Sequence, residues 1–343
     1  MAHFEGENRI IGMRNSVFSL KSWLWAALFS LVASSCGFVV DDGAPEPAPL
    51  RVSFMDVGQG LAVLFEYGGR FAMYDTGPDS ARMVDSLVAR GVDTLEWVVV
   101  SHGHRDHAGG FMEIAAESGV SGEAGAGAPS DGAAARVHVR QLFVGPDTAG
   151  GFVRDSVLRV ARRLGVPVDT LFRGDALGLA GPAQSFDAGD GSRGNVADVA
   201  HSLGVGDAPR FDVLWPPDYV REGGNPASVV LRVEFGASTA LLMGDLDSAG
   251  ERRLLELSPT LSAGLLQVGH HGSAGSSSLR FISQVAPDYA VVSVGAGNSY
   301  GHPAPPVVNK LGLVLGDTTR LYRTDRDGSV TFEMWPGIGV TGP

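Results

Sequence analysis

Short apolar runs alternate with amphipathic segments along the chain from residue 50 onward. Apolar runs bounded by glycine or proline are typical of β-strands, whereas apolar positions three and four residues apart indicate helices. Strands are predicted in the first half at 51–57, 61–67, 70–75 and 96–101, and in the second half at 211–214, 228–235, 239–244, 264–269 and 289–294. Helices are predicted at 83–91, 248–257 and 276–285.

Both halves show this alternation of strands and helices, which predicts one layered α/β domain over residues 50–343. The specific prediction is a four-layer αβ/βα sandwich, in which two mixed β-sheets face each other and helices cover their outer faces. Two stretches, 118–135 and 178–209, are rich in glycine, alanine, serine and aspartate and poor in aromatic residues. Such a composition buries little apolar surface, so both stretches are predicted to be flexible insertions.

An apolar stretch at 23–33 follows the basic residues Arg14 and Lys21 and precedes Cys36. It is too short to span a bilayer comfortably, and its flanks are those of a signal peptide. Because the surrounding LVASSCG resembles a bacterial lipobox, residues 1–36 are interpreted as a lipoprotein signal with Cys36 as the lipidation site. Residues 37–49 would then be a flexible linker that tethers an extracytoplasmic protein to the membrane. The alternative is an uncleaved membrane anchor with an incidental cysteine.

The composition limits both the partners and the kinds of site. A formal net charge of −12 is not that of a protein that coats nucleic acid, although it leaves room for a local basic groove. Nucleic acid is therefore a disfavoured but not an excluded partner. The single cysteine excludes intramolecular disulfides and cysteine-rich metal sites.

Three histidines and an aspartate follow directly after the valine run at 98–100: His102, His104, Asp106 and His107. A run of valines is typical of a strand buried on both faces, and ligands of such sheets gather at the carboxyl ends of the strands. Imidazole nitrogens and a carboxylate oxygen suit a divalent ion such as zinc, with manganese or iron as alternatives. The spacing therefore predicts a metal-binding loop.

The two glycines after this loop, Gly109 and Gly110, would let a helix begin close against it. The alternative interpretation is a polar loop whose histidines only cap that helix.

With its HxHxDH motif the sequence resembles the metallo-β-lactamase superfamily, over most of residues 50–335. Within it the resemblance is to the soluble hydrolase domain of ComEC-type DNA-uptake proteins. It rests on FMDVGQG (54–60), YDTGP (74–78), SHGHRDHAGG (101–110), NPASVVLRVEFG (225–236), LLMGDLD (241–247), VGHHGSAGSSSLRF (268–281), SVGAGNSYGHP (293–303) and YRTDRDG (322–328). The transport role of those proteins is not carried over, because the 343 residues hold no counterpart of their membrane channel.

The resemblance implies a centre with two divalent metal ions, zinc by preference. The implied ligands are His102, His104, Asp106, His107, Asp245 and one histidine of the pair His270 and His271. Asp245 would bridge the two ions, and Asp75 would orient the loop without binding metal. Successive side chains at a strand end point opposite ways, so only one of His270 and His271 is expected to bind, and the sequence does not say which.

One position departs from the superfamily pattern, which usually supplies a further histidine where this chain has Asn225. The metal position held by His102 and His104 is therefore expected to be the weaker one. Asp106 and His302 are the candidate catalytic residues, with His302 placed to protonate or hydrogen-bond a leaving group. Asn225, Ser273 and Asn298 are candidate substrate-binding residues.

The resemblance thus implies a metal-dependent hydrolase, a nuclease or phosphodiesterase that cleaves phosphodiester or phosphoester bonds. Single-stranded DNA and a cell-envelope phosphodiester are the candidate substrates, and an acidic protein with a lipid tether suits a small diester better than long DNA. A β-lactamase is disfavoured because the further histidine is usual there. The alternative from another class is a non-catalytic surface lipoprotein that uses the fold as a binding module.

Overall fold

Strands from both ends of the described part of the chain form the first sheet. The computed structural model describes residues 48–117, 137–179, 208–258 and 260–343. The predicted signal peptide, most of the linker and nearly all of both insertions lie outside these residues. Within the described part, eight strands pair in the order β17-β16-β1-β2-β3-β5-β7-β8. Their bounds are β1 Leu50–Phe54, β2 Ala62–Tyr67, β3 Arg70–Thr76, β5 Trp97–Val100, β7 Leu142–Val144, β8 Val168–Thr170, β16 Val330–Trp335 and β17 Gly339–Thr341.

The second sheet has seven strands in the order β15-β14-β13-β12-β11-β10-β9. They are β9 Ala176–Gly178, β10 Arg210–Trp215, β11 Val230–Phe235, β12 Ser238–Leu242, β13 Leu265–Gln267, β14 Tyr289–Val292 and β15 Leu321–Arg323. Both sheets are mixed: β1, β2 and β3 pair antiparallel and β3, β5, β7 and β8 parallel, while β9 to β12 pair antiparallel and β12 to β15 parallel. A short parallel pair joins β4 Thr94–Leu95 to β6 His138–Val139.

Helices cover the outer face of each sheet. Over the first sheet lie α1 Met83–Val88, α2 Arg105–Ala108, α3 Gly110–Glu117 and α4 Phe152–Leu164. Over the second lie α5 Ser248–Leu257, α6 Leu279–Val285 and α7 Pro305–Leu315. A further short helix, α8 Thr324–Asp327, follows β15, and short 3₁₀ turns occupy Asn225–Ala227, Gly269–Gly272 and Thr318–Arg320.

The alternation of side chains along the buried strands produces three apolar layers. In β5, Trp97 and Val99 pack in the core between the two sheets, whereas Val98 and Val100 pack against the helices over the first sheet. In β12, Leu242 lies in the same central core and Leu241 faces the helices over the second sheet. Both faces of both sheets are thus buried, as a run of valines requires. This arrangement confirms the predicted four-layer αβ/βα sandwich.

Two parts of the architecture were not predicted. Strands β16 and β17 return from the C-terminus to the first sheet, where β16 pairs antiparallel with β1, Leu50 opposite Met334. The helices α4 and α7 and the short strands β6 to β9 and β15 were also missed. Among the described residues, no helix is long and apolar enough to cross a bilayer.

Parallel pairing determines where functional side chains can lie. Strands β3 and β5 run parallel in one sheet, and β12, β13 and β14 run parallel in the other. The carboxyl ends of parallel strands meet at one edge of a sheet, which is where open α/β sheets place their ligands. The loops after these strands carry the motifs singled out in the sequence.

Candidate metal centre

The loop after β5 brings the HxHxDH motif to the sheet edge. His104 has extended backbone angles and precedes α2, so Arg105–Ala108 begins the helix and carries Asp106 and His107 on its first turn. The next helix, α3, begins at Gly110 and packs tightly against the end of β3, because a Cβ at Gly110 would lie 2.1 Å from the backbone oxygen of Thr76. Only glycine fits at this position without a shift of the backbone.

Asp75, at the end of β3, is completely buried and holds this loop in place. One carboxylate oxygen accepts the backbone N–H of Ser101 at 2.6 Å, and the other accepts the Ser101 hydroxyl at 2.7 Å. The second oxygen also lies 2.7 Å from Nδ1 of His107. A proton on Nδ1 leaves Nε2 of His107 free as a ligand, which is the geometry that the predicted role of Asp75 needs.

Asp245, in the turn after β12, is surrounded by four imidazoles. Its Oδ1 lies 3.1 Å from Nε2 of His107 and 3.6 Å from Nε2 of His271. Its Oδ2 lies 3.9 Å from Nε2 of His102 and 3.7 Å from Nε2 of His270. The predicted bridging carboxylate therefore stands between two pairs of histidines.

Within the described residues, two groups of side chains place one ligand atom each within 4.8 Å of one another: His102 with His107 and Asp245, and Asp106 with His107 and His271. Two ligands of one tetrahedral zinc ion lie about 3.4 Å apart, which follows from bond lengths near 2.1 Å. The observed 3.3 Å between Asp106 Oδ2 and His271 Nε2 is close to this spacing. In addition, His102 Nε2 is buried without a hydrogen-bond partner. Buried polar atoms need partners, so the donor set fits divalent metal ions.

The electrostatics of the cluster favour positive charge at its centre. Burial lowers the pKa of His107, but the carboxylates of Asp245 and Asp75 outweigh burial and hold that pKa well above the usual range. Burial raises the pKa of Asp245, yet His107 and His271 bring it well below its usual range. Burial, and after it the nearby ring of His107, lowers the pKa of His102 well below its usual range, which keeps its ring neutral and able to ligate. A metal ion at this position would displace the proton from His107, because a side chain must be deprotonated before it can bind metal.

His270 and His271 do not follow the expected strand alternation. Both have left-handed backbone angles, with φ of 53° at each, inside the 3₁₀ turn Gly269–Gly272. As a result both rings approach Asp245, and the prediction that they point opposite ways was wrong. His271 is buried and its Nδ1 donates to the backbone oxygen of Ser293 at 2.8 Å, while His270 stays partly exposed.

His104 is the outermost residue of the loop. Its side chain is exposed, and its ring centroid lies 4.5 Å from that of His102. A Cβ at Gly224 would lie 3.2 Å from its Nε2, which places His104 next to the loop of Asn225.

The predicted substrate-side residues lie around the opening of the cluster. The ring of His302 stacks on that of Tyr300 at 5.7 Å, and its centroid is 5.7 Å from that of His270. Asn298 uses both ends of its amide inside its own loop, donating to the backbone oxygen of His302 and accepting from its N–H. Ser273 accepts the N–H of Gly275 at 3.3 Å. Contacts of these side chains with a substrate stay predictions.

Sequence reasoning missed several residues of the site. The hydroxyl of Ser228 accepts the N–H of Asp245 at 3.1 Å and lies 3.4 Å from Nδ1 of His102. Ser101 Oγ lies 3.1 Å from the same nitrogen. Arg154 of α4 packs over the loop, since a Cβ at Gly103 would lie 3.0 Å from the Arg154 Cβ. The position of both serines directly beside a motif was a usable signal, whereas nothing near Arg154 indicated its place.

Comparison with known proteins decides the family. The sequence model described as "Metallo-beta-lactamase superfamily" matches residues 55–296. The chain belongs to the metallo-β-lactamase superfamily. Members of this superfamily are mostly metal-dependent hydrolases, and the histidine and aspartate cluster around Asp245 supplies ligands of the required kind.

Two curated relatives are similar to most of this chain, and the name of one refers to competence. "Competence protein ComA" of Neisseria gonorrhoeae is 30% identical over 85% of this chain. "ComE operon protein 3" of Bacillus subtilis (strain 168) is 26% identical over 84% of it. The chain spans only 34% of the length of each. The metallo-β-lactamase fold protein YhfI from Bacillus subtilis is similar in structure, with 12% identity, a TM-score of 0.45 and coverage of 83% of this chain and 99% of YhfI.

Proposed function

We propose that the protein is a metal-dependent phosphodiesterase. The observation that carries this proposal is the two ligand groups, which share His107 and of which one includes Asp245, together with His102 Nε2, which is buried without a hydrogen-bond partner. Asp106, His107 and His271 would hold one divalent ion, and His102 and His104 the other, with Asp245 shared. Zinc suits this set of nitrogen and oxygen ligands, and manganese or iron are the alternatives. When bound, the ions supply a Lewis acid that lowers the pKa of a water molecule and polarises the substrate oxygen.

The protein's own residues arrange the reaction around these ligands. Asp75 keeps the proton of His107 on Nδ1 and so fixes its ring, and Ser228 holds the backbone of Asp245. His302, at the open side of the cluster, would hydrogen-bond or protonate the leaving-group oxygen. Asn225 and Ser273 would contact the non-reacting oxygens.

Arg154 favours a phosphoryl substrate over an acyl one. It lines a small cavity with His102, Gly103 and Asp147, directly beside the metal-binding loop. Within the described residues Arg154 has no ion-pair partner, unlike Arg105, which pairs with Asp79. An unpaired guanidinium beside a metal centre is suited to phosphate oxygens, which it binds in a bidentate manner.

The substrate and the location are further parts of the proposal. The name of one relative refers to competence, which makes single-stranded DNA a candidate substrate. The net charge of −12 repels long polyanions, which makes a small cell-envelope phosphodiester the other candidate. The signal-like segment that ends at Cys36 supports a lipid-anchored protein outside the cytoplasm. Replacement Cys36→Ser should then remove acyl mass from the N-terminal peptide and release the protein from the membrane fraction.

Hydrolysis of bis-p-nitrophenyl phosphate and of single-stranded DNA by the purified full chain tests the activity. Activity should require zinc, manganese or iron and should fall roughly 100-fold or more in Asp245→Ala, because that carboxylate is shared by both ion positions. His138→Asn, an exposed histidine in β6, is the control and should keep the full rate. A wild-type protein that binds metal yet cleaves neither substrate would contradict the proposal and favour the binding-module alternative.

A further inference from the structure

Each carboxylate oxygen of Asp245 faces two imidazoles, although the sequence lacks a histidine at position 225. Oδ1 faces His107 and His271, and Oδ2 faces His102 and His270. We infer that His270 replaces the imidazole absent at Asn225, so that the adjacent pair His270 and His271 gives one ligand to each of two metal ions. This inference rests on the proposed function only in that both concern the same metal centre.

The distances at Oδ2 support a shared ion. His270 Nε2 lies 3.7 Å and His102 Nε2 3.9 Å from this oxygen. Both values lie close to the spacing of about 3.4 Å that two ligands of one tetrahedral ion have. His102 Nε2 has no hydrogen-bond partner, so a ligand role is the available way to satisfy it. His270 lies outside both compact ligand groups, so its ring has to turn toward His102 to share an ion with it, and at 29% exposed it has room to turn.

The backbone explains how two neighbouring histidines can serve two ions. In a strand their side chains would point to opposite faces. Here both residues are left-handed, which is uncommon for a residue with a Cβ and strains the backbone at each. Such strain persists mostly at functional sites. It turns the His270 ring to Oδ2 and the His271 ring to Oδ1 of the same carboxylate.

Asn225 is suited to orient the ring of His270. Its amide nitrogen lies 3.2 Å from both ring nitrogens of His270, while its Oδ1 is buried without a partner. A half-turn of the amide would place Oδ1 against Nδ1, where it accepts the Nδ1 proton and leaves Nε2 to bind metal. Asn225 is then a positioning residue for the histidine that takes over the ligand role.

Calorimetric titration of the metal-free full chain with Zn²⁺ tests this assignment without any measurement of activity. Wild type should bind two equivalents. In His270→Ala one equivalent should weaken roughly 100-fold or more, while the other keeps its affinity. In His271→Ala the other equivalent should weaken instead. In Asn225→Ala the His270-dependent equivalent should weaken about 10- to 100-fold, as is usual when the partner of a ligand is lost.

A relocated ligand gives the most discriminating variant. The double replacement Asn225→His with His270→Ala should regain the equivalent lost in His270→Ala, since an imidazole again faces Oδ2. His302→Asn tests the neighbouring ring, whose centroid lies 5.7 Å from that of His270, and should keep both equivalents. His138→Asn serves as the distant control.

Several results would overturn the inference. They are two undiminished equivalents in His270→Ala, loss of an equivalent in His302→Asn instead, or a wild type that binds a single ion. These outcomes are separate from failure of the proposed function, because a protein that binds two zinc ions through His270 but cleaves no phosphodiester would refute only the activity.

Discussion

The buried carboxylate of Asp75, at the end of β3, holds the metal-binding loop that follows β5. It receives two donors from Ser101 and faces the Nδ1 of His107. An amide of the same size cannot accept all three donors, so Asp75→Asn should release the ring of His107. Zinc affinity should fall about 10- to 100-fold while the protein stays folded, as metal titration and thermal melting would show. Asp79→Asn, which breaks the more exposed pair with Arg105, is the control, and an equal loss there would argue against a specific role for Asp75.

Arg154 offers a test of phosphate recognition by one side chain. Removing its charge in Arg154→Met should raise the KM for a phosphodiester about tenfold, since a charge-assisted hydrogen bond contributes about 1.5–3 kcal/mol, and should change kcat less. Arg154→Lys should recover part of the loss, because an ammonium lacks the planar fork. Arg159→Met, an exposed arginine of the same helix, should leave KM unchanged. A KM that does not move in Arg154→Met would remove the argument for a phosphoryl substrate.

The residues of the cluster were predictable to different degrees. His102, Asp106 and His107 stand in one short motif, so local spacing was sufficient to find them. The arrangement of His270 and His271 was not predictable, because the alternation rule applies to extended backbone and both residues are left-handed. Arg154 lies 51 positions after Gly103 in the sequence. Only the packing of α4 over the loop brings it to the site.

At the scale of elements, the contact between α3 and the end of β3 fixes the metal loop. A Cβ at Gly110 would meet the backbone oxygen of Thr76 at 2.1 Å, and backbone cannot move aside cheaply. Gly110→Ala should therefore lower the free energy of unfolding by about 1–3 kcal/mol, measured by denaturant titration, and weaken zinc binding as well. Gly337→Ala, where a Cβ meets no atom within 4 Å, should be near neutral. A neutral Gly110→Ala would mean that the loop does not depend on this contact.

Strands with strong local patterns were predictable, whereas strands defined by their partners were not. The continuous apolar runs of β2, β5 and β12 identified them, because both of their faces are buried. Strands β8 and β9 have only three residues each, too few to show a period. Strand β16 alternates, yet its partner β1 lies nearly the whole chain away, and no local pattern encodes such a pairing.

At the scale of the whole molecule, the four layers bring loops from both halves of the chain to one carboxylate. Asp75 and the HxHxDH loop come from the first sheet, and Asp245 and the histidine pair come from the second. Neither sheet alone supplies both ligand groups, so metal binding should report on the packing of the two sheets. The central core that joins them includes Trp97 and Phe211, whose rings lie 5.0 Å apart.

The net charge of −12 gives a test that separates the two candidate substrates. An acidic protein repels a long polyanion at long range, and salt screens that repulsion, with a Debye length of about 10 Å at 0.1 M ionic strength. If the overall charge repels single-stranded DNA, kcat/KM for DNA should increase as salt is added to a solution of low ionic strength. The value for bis-p-nitrophenyl phosphate should change little.

A basic groove around Arg154 strong enough to overcome the overall charge would produce the opposite dependence, because counterion release makes binding of DNA weaker as salt rises. The variant Arg154→Met distinguishes the two cases. If kcat/KM for DNA falls with salt because of Arg154, the variant should lose that fall. If kcat/KM rises with salt because of the overall charge, the variant should keep that rise. A falling dependence that survives in Arg154→Met would place the DNA contacts elsewhere on the molecule. It would also contradict the preference for a small diester, which rests on the charge of the whole chain.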